Sequence, residues 1–378
     1  MIHFFKKNPL SLLIGVTIAT IVLSAYTKHL SDVAIINQGK LKAMHDVEEI
    51  IHENIKMQGE KATGKASMIA RFPNVKEALK KQDRDYLITE LQKTFLLQKE
   101  QYGVVEGTFW LPSGIQFLHL FDIKHFGDKV GADLKIVSTT LKGKKGIQGI
   151  DIDRYGISIK GSDVSLNEQG EELGAFFVGM NFNTILANIH QDTGFEAAVF
   201  GDDEWMTKIK VVDEKPDAEK VIGGFRLIGV TNWKKIRSVL NAKLLTPSTK
   251  SNFLIETVNG IDYGVINVPL NNFEGKQIGS IVAVKNFDSY KALLRAGMVK
   301  STAFAILQGI LVIGAILLIY NGMLIRPLEH LNDHINALID GTPDVDISPI
   351  LGQHDEVGSL AKEIETLRKM YPKALASK

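Results

Sequence analysis

The chain has 378 residues, a formal net charge of +1 and 45% hydrophobic residues. That length has room for two or three domains, and nothing in the overall charge points to nucleic acid. The absence of cysteine excludes disulfides, thiolate zinc sites and cysteine nucleophiles, and is compatible with an oxidising compartment.

Residues 1–8 form a short N-terminus carrying Lys6 and Lys7, which favour a cytoplasmic start. Leu10 to Tyr26 has no charge, so 9–27 is predicted as a first transmembrane helix. Ser24-Ala25-Tyr26 is a poor small-residue cleavage site and a second apolar stretch follows, so the segment reads as an uncleaved anchor. From Lys28 the chain reads helical: Val33, Ile36, Val47, Ile50, Ile51 and Ile55 recur at helical spacing among charges. Phe72-Pro73-Asn74 interrupts the pattern, and a second amphipathic run covers Val75 to Leu97. Two readings compete for 28–97: a packed helix pair, or a stalk helix pairing with its twin in a dimer. The run starts directly at the span, which favours the stalk.

From Val104 the texture changes to short strand-like runs separated by glycine turns. They are Val104–Trp110, Ile115–Phe121, Ile157–Lys160, Ala175–Phe182, Phe195–Phe200, Phe225–Val230, Phe253–Val258, Tyr263–Val268 and Ser280–Val284. Asn183 to Gln191 and Trp233 to Leu245 read as helices. An internal repeat organises this region. Val164 to Gly174, followed by Ala175 to Phe182, returns about 105 residues later as Val268 to Gly279, followed by Ser280 to Phe287. Both copies carry a glycine turn, an aliphatic–Gly pair and a closing Asn-Phe; a Tyr-Gly pair precedes each, at Tyr155-Gly156 and Tyr263-Gly264. A polar glycine turn between two strands predicts a hairpin. The fold class is therefore α+β, with a long N-terminal helix and two tandem modules built on antiparallel sheets, 98–188 and 189–297.

Ser301 to Ile325 holds about 25 uncharged residues, enough to cross a membrane, and 300–325 is predicted as a second transmembrane helix. Beyond it, Leu328, Leu331, Ile335 and Leu338 are spaced 3, 4, 3, and Val357, Leu360, Ile364 and Leu367 repeat the spacing. Those are two short coiled-coil seams, which fit a parallel four-helix bundle across a homodimer. Asp340-Gly341-Thr342-Pro343 stops the first helix, Val345, Ile347, Ile350 and Leu351 anchor the connector, and Asp355-Glu356 opens the second helix. Residues 373–378 form a tail.

The long helix, the tandem sheet modules and the repeated hairpin resemble a double-Cache extracytoplasmic sensor, over 28–299. Its strongest stretch is Gly114 to Phe182. The resemblance implies a stalk helix at 28–97, PAS-like antiparallel sheets, a membrane-distal first module that takes the ligand, and a proximal second module. Proline after a membrane span, a helix, a connector and Asp355-Glu356-Val357-Gly358 resemble a HAMP domain over 326–372. Together these imply a multi-pass receptor of the bacterial inner membrane, chemoreceptor-type, with a periplasmic sensor. The alternatives are the sensory part of a histidine kinase or diguanylate cyclase, or an output-less binding protein that modulates a full-length receptor through mixed HAMP dimers. Only residues 373–378 follow the HAMP-like segment, so the output module is expected outside this sequence or on a partner.

No catalytic constellation is present in the sequence, and neither an enzyme activity nor a cofactor is expected. Gly143-Lys-Lys-Gly146-Ile-Gln-Gly149 lacks the spacing of a nucleotide fingerprint and reads as a solvated turn; His119 and His125, or Asp151 and Asp153, make weak metal sets, so no metal is expected. The expected chemistry is ligand recognition in a partly apolar pocket. Alternation puts Phe117, His119 and Phe121 on one face of their strand, and Phe177, Gly179 and Asn181 on one face of theirs. The ligand-binding candidates are Trp110, His119, Arg154, Tyr155, Lys160 and Asn181, an aromatic and cationic set suited to a carboxylate or another anion. Cache receptors for amino acids hold the ligand amine with an aspartate on the last strand. The matching positions here are Gly179 and Val284, which counts against an amino acid. The expected partners are a small ligand, the membrane, a second copy, and a cytoplasmic output module or partner receptor, with no nucleic acid.

Overall fold

A computed structural model describes residues 9–131, 134–208, 217–340 and 346–370. The expectations for 1–8, for the Gly341-Thr342-Pro343 stop, for Val345 and for the tail lie outside them. The chain divides into two compact units, Ile36–Lys291 and Met1–Ile35 with Ala292–Lys378.

Helix α1 runs Pro9–Arg71, and its part within the first unit is buried against both sheets. Met44, Val47 and Ile51 belong to one core cluster, and Ala62, Ala66, Ile69 and Ala70 to another. The apolar stripe is thus covered within the chain from Met44 to Ala70. Phe72 is extended, and Pro73, lacking a backbone N–H, starts α2 (Pro73–Lys81) at the break read from the sequence. A second break was not anticipated. Gln82 turns left-handed (φ 54°), and the Asp83 carboxylate accepts from Tyr86 N at 3.0 Å to cap α3 (Arg84–Tyr102).

The first sheet has strands β1 (Val104–Trp110), β2 (Gln116–His119), β3 (Gln148–Asp153), β4 (Gly156–Leu166) and β5 (Glu172–Met180), ordered β2-β1-β5-β4-β3. Helix α4 (Lys135–Gly143) crosses from β2 to β3. Helix α5 (Asn183–Thr193) leads to the second sheet of β6 (Glu196–Asp202), β7 (Val221–Ile222), β8 (Phe225–Val230), β9 (Asn252–Val258), β10 (Ile261–Asn271) and β11 (Gln277–Asn286), ordered β7-β8-β6-β11-β10-β9. Short helices α6 (Asp203–Lys208) and α7 (Trp233–Val239) flank it. The helix predicted to reach Leu245 stops at Val239, because the Asn241 side chain takes the Lys243 amide (3.0 Å) into a local turn. Leu240, Leu244 and Leu245 then pack into the core as loop residues.

The repeat is structural. Hairpins β4–β5 and β10–β11 turn through Asn167 and Asn272, whose side chains accept the amides of Gln169 and Glu171, and of Glu274 and Lys276. Gly170 (φ 79°) and Gly275 (φ 83°) take the left-handed position. The closing Asn-Phe also has a shared role. Asn181 and Asn286 accept from the amides of Asn183 and Asp288 (3.1 and 2.7 Å), capping the helices that leave each sheet, while Phe182 and Phe287 are buried. The Tyr-Gly pairs are not equivalent: Gly156 opens β4, whereas Gly264 lies inside β10 opposite Lys285.

In the second unit, α8 (Asp288–Tyr320) continues through one π-turn (Asn321–Ile325) into α9 (Arg326–Ile339). Two helical segments, Leu10–Arg71 and Asp288–Ile339, are long and apolar enough to cross a membrane, with mean hydropathies of 2.0 and 2.5 over their most apolar windows. A Cβ at Gly309 would lie 3.6 Å from Ile21, so the two apolar stretches touch. Helices α10 (Ser348–Leu351) and α11 (Glu356–Met370) fold back onto α9. Leu331, Ile350 and Ala361 are buried together, with Leu351, Val357 and Ile364 against them. Asp355 caps α11 by accepting the Gly358 amide at 2.9 Å. Leu328, Ile335, Leu360 and Leu367, from the same two seams, stay exposed.

Candidate functional site

Side chains alternate across a strand, so the two faces of the first sheet can be read from its cores. Phe109, Phe176, Val178 and Met180 pack with α1, α2 and α3, while Ile150, Ile152, Ile157 and Ile159 join the core that includes Met44, Val47 and Ile51. The opposite face then presents Glu106, Thr108 and Trp110 from β1, Phe177 and Gly179 from β5, Ser158 and Lys160 from β4, and Asp151 and Asp153 from β3. On this face lies a cavity of about 430 Å³. Its polar floor is Glu106, Thr108, Gln116, Asp153 and Lys160; Trp110, Leu134 and Val137 form an apolar wall; Asp128, Lys129, Arg154 and Tyr155 rim it.

Lys160 is 1% exposed, and its ammonium lies 2.9 Å from Glu106 Oε2 and 2.5 Å from Asp153 Oδ2. Burial works against its charge, but Asp153, Glu106 and Asp151 outweigh this and hold its pKa above the usual lysine value. Glu106 goes the other way: burial raises its pKa, Lys160 opposes the rise, and Asp153 adds to it. Thr108 Oγ1 donates to the remaining Glu106 oxygen at 3.2 Å. The Trp110 indole N–H is buried in the cavity wall without a hydrogen-bond partner among the described residues. A buried donor of that kind calls for an acceptor, and an indole can only donate.

At the mouth, Arg154 Nη1 lies 2.5 Å from His125 Nε2 and 3.9 Å from Asp128, and His125 in turn contacts Asp128 at 2.6 Å. This cluster ties the β3–β4 turn to the segment after β2, where Gln116 and Asp128 also exchange a backbone bond of 2.8 Å. Tyr155 stacks on His119 with ring centroids 4.0 Å apart. His119 is buried behind it: Nδ1 accepts the Asp122 amide (3.0 Å), Nε2 has no partner among the described residues, and burial lowers its pKa to about 4.

Four of the six sequence candidates, Trp110, Arg154, Tyr155 and Lys160, therefore line one cavity. His119 supports Tyr155 from behind. Asn181 is elsewhere, bonded to Gly103 and capping α5. Phe117 and Phe121 pack toward the helices, and Gln116 takes the place on the cavity side. Opposite Phe109 and Trp110 the pairing skips Phe117, a β-bulge on β2, so simple alternation over 115–121 fails. Sequence reasoning missed Glu106, Thr108, Gln116 and the lysine-binding role of Asp153. An acidic residue inside the apolar run Val104–Trp110 was the available signal. The expected cationic pocket is a mixed one: Lys160 is already engaged by two carboxylates.

The repeat supplies an internal control. Lys160 and Gly179 are opposite each other, and their counterparts Val265 and Val284 are likewise opposite. Glu106 pairs across from Gly179, as Glu196 does from Val284. In the second sheet this face is packed solid with Val265, Val282, Val284, Ile236 and Leu240, among others. Glu196 instead turns to Lys235 and Thr231, both at 2.7 Å.

Residues 40–213 match the family described as a double sensory domain of two-component sensor kinase, dCache_3. Over those residues the chain is similar to a double-Cache sensory domain. No curated protein matches it. Among solved structures, the ligand-binding domain of the Campylobacter jejuni chemoreceptor Tlp3, in complex with L-valine, aligns with a TM-score of 0.39 at 12% identity, covering 70% of this chain and 97% of its own. The periplasmic domain of Vibrio cholerae LuxQ aligns at 0.38 and 10% identity over 64% and 99%. The Escherichia coli DcuS sensor domain gives 0.29 and 14% over 36% and 97%.

Proposed function

We propose that this double-Cache protein is a transmembrane receptor of the bacterial inner membrane whose periplasmic distal module binds a small polar molecule. The observation that carries this is the contrast within the repeat. The first sheet keeps an open cavity with a buried ion cluster and an indole donor that has no partner among the described residues, where the second sheet is filled with valines. A cavity of that size suits a small molecule. Glu106, Asp153 and Asp128 offset Lys160, Arg154 and Lys129 along its lining, so a ligand with groups of both signs fits better than a simple anion. Its carboxylate would take the Trp110 N–H and Arg154, and its amine would take Asp153. Gly179 leaves no aspartate on β5, but β1 and β3 supply carboxylates instead, which removes the objection to an amine.

Ligand seated under α4 would pull on two contacts with the β10–β11 turn: Lys135 with Glu274 at 3.5 Å, and Gly149 against Phe273. Hairpin β10–β11 runs directly into α8, and Asp262 on β10 pairs with Lys291 on α8 and Lys40 on α1 (3.1 and 3.8 Å). The relay continues through α8 into α9 and α11, acting as a HAMP domain in a homodimer. Motion of that pair drives a chemoreceptor-type output in the cytoplasm. A histidine-kinase output is the second reading, favoured by the description of the matched family.

The test uses the full chain in nanodiscs, screened by thermal shift against amino acids, organic acids and amines. A ligand at 100 times its Kd adds about 2.7 kcal/mol of stability. Arg154→Ala and Asp153→Asn should abolish the shift; hits that survive both variants would move the site elsewhere.

A further inference from the structure

A second hollow, of about 600 Å³, lies on the distal module between the end of α1, the start of α2 and the loop from α4 to β3. Its lining carries four cations, Arg71, Lys76, Lys144 and Lys145, against one carboxylate, Asp163. That carboxylate is buried and already held by Arg71, at 3.1 and 3.0 Å from Nε and Nη2, and its other oxygen accepts the Val164 amide at 2.9 Å. Lys76 and Lys145 have no ion-pair partner among the described residues. The local charge is about +3 in a chain whose net charge is +1. Such a concentration over a concave surface focuses the field on an anion.

The basic loop is also fixed in place. A Cβ at Gly146 would strike the Ser162 carbonyl, so this loop lies flat on β4, where Ser162 N donates to Ile147 O at 2.9 Å. Lys144 adopts the left-handed region (φ 47°), a conformation disfavoured for a lysine. On the facing wall the Thr63 hydroxyl oxygen is buried with no hydrogen-bond partner among the described residues. The glycine-lysine loop, which reads from sequence as a solvated turn, is thus one wall of a preformed basic hollow.

We infer that this hollow is a second ligand site on the sensor, for a small oxyanion bearing two or more negative charges, separate from the cavity under α4. Arg71 and the three lysines bind it by charge-assisted hydrogen bonds, and the loop and helix ends supply the shape. Bound there, the anion would join α1 and α2 to the loop that opens β3, the strand carrying Asp153.

The experiment is calorimetric titration of the full chain, in phosphatidylcholine nanodiscs, with citrate and separately with inorganic phosphate. Saturable binding of at least one is expected. The Lys76→Ala/Lys145→Ala double variant should weaken it at least tenfold, as should raising NaCl from 50 to 300 mM, while Arg154→Ala leaves it unchanged. Lys145→Gln alone, an exposed single change, should weaken it about threefold and keeps the test open should the double variant misfold. No saturable heat with either anion, equal affinity in the lysine variants, or loss on Arg154→Ala would each overturn the inference. Loss of a thermal-shift hit in Arg154→Ala or Asp153→Asn, with citrate or phosphate binding intact, separates the two sites.

Discussion

Glu106 on β1 and Lys160 on β4 are two strands apart, yet their charged groups meet at 2.9 Å because the residue between them, on β5, is Gly179. A Cβ there would lie 2.8 Å from Glu106 Cβ and 3.0 Å from Ser158 Oγ. Strands are about 4.8 Å apart, so the two side chains lean over the glycine from either side. Gly179→Ala should therefore part the pair and cost about 1–3 kcal/mol, as overpacking does. It should also abolish ligand shifts. Chemical melts of the two proteins and the ligand screen check both; unchanged stability would mean that β5 moves aside freely.

The ion cluster predicts a non-additive pair. Lys160→Met leaves the buried Glu106 and the half-buried Asp153 without their cation, at a cost of about 3–5 kcal/mol. Adding Glu106→Leu removes one of the stranded carboxylates and should recover part of that loss. A double-mutant cycle read by urea melts measures the coupling, expected at about 1–3 kcal/mol. Additive losses would show that the pair is not coupled in the folded protein.

Acid should loosen the first sheet module through His119. Its folded pKa is about 4, against an ordinary value of 6.5, because burial, with smaller contributions from Lys160 and His125, outweighs Asp153 and Asp122. Between those values the unfolded chain binds the proton that the folded one refuses, so stability falls as pH drops from 6.5 toward 4. The loss is on the order of 3 kcal/mol. Carboxylates with lowered pKa, Glu196 and Asp262, add their own losses further into the acid range. Comparing His119→Phe with the parent between pH 4.5 and 7 isolates the histidine: the variant should show the shallower slope.

Much of the fold was legible because its signals are local. Strands β1 and β8 lie where the apolar runs place them, and the Asn167/Asn272 turns and Asn181/Asn286 caps make the repeat visible in the letters themselves. The cavity was half legible for a physical reason. Trp110 and Lys160 stand out by type, but the meaning of Glu106 depends on which strands neighbour Gly179, and that pairing joins residues more than 70 positions apart. Asp153 was visible yet misread, because its partner lysine is reached only through the β3–β4 register. Asn181 was misassigned for the opposite reason: a polar residue ending a strand is as good a helix cap as a ligand contact.

The two seams beyond the second apolar helix give the last prediction. Within one chain Leu331, Val357 and Ile364 face a shared core with Ile350, while Leu328, Ile335, Leu360 and Leu367 remain exposed. Two short amphipathic helices leave such a stripe uncovered unless a second pair closes it. A homodimer would do so with its twofold axis along the seam, bringing each exposed leucine near its own copy. The sequence has no cysteine, so a single introduced one reports without background. Leu328→Cys and Leu360→Cys should each form disulfide-linked dimers in membranes under mild oxidation, and Asp333→Cys, an exposed polar position outside the seam, should not. A ligand found in the thermal screen should change the Leu360→Cys rate several-fold if the relay is as proposed. Equal crosslinking at all three positions would mean that the leucines face something other than a second copy.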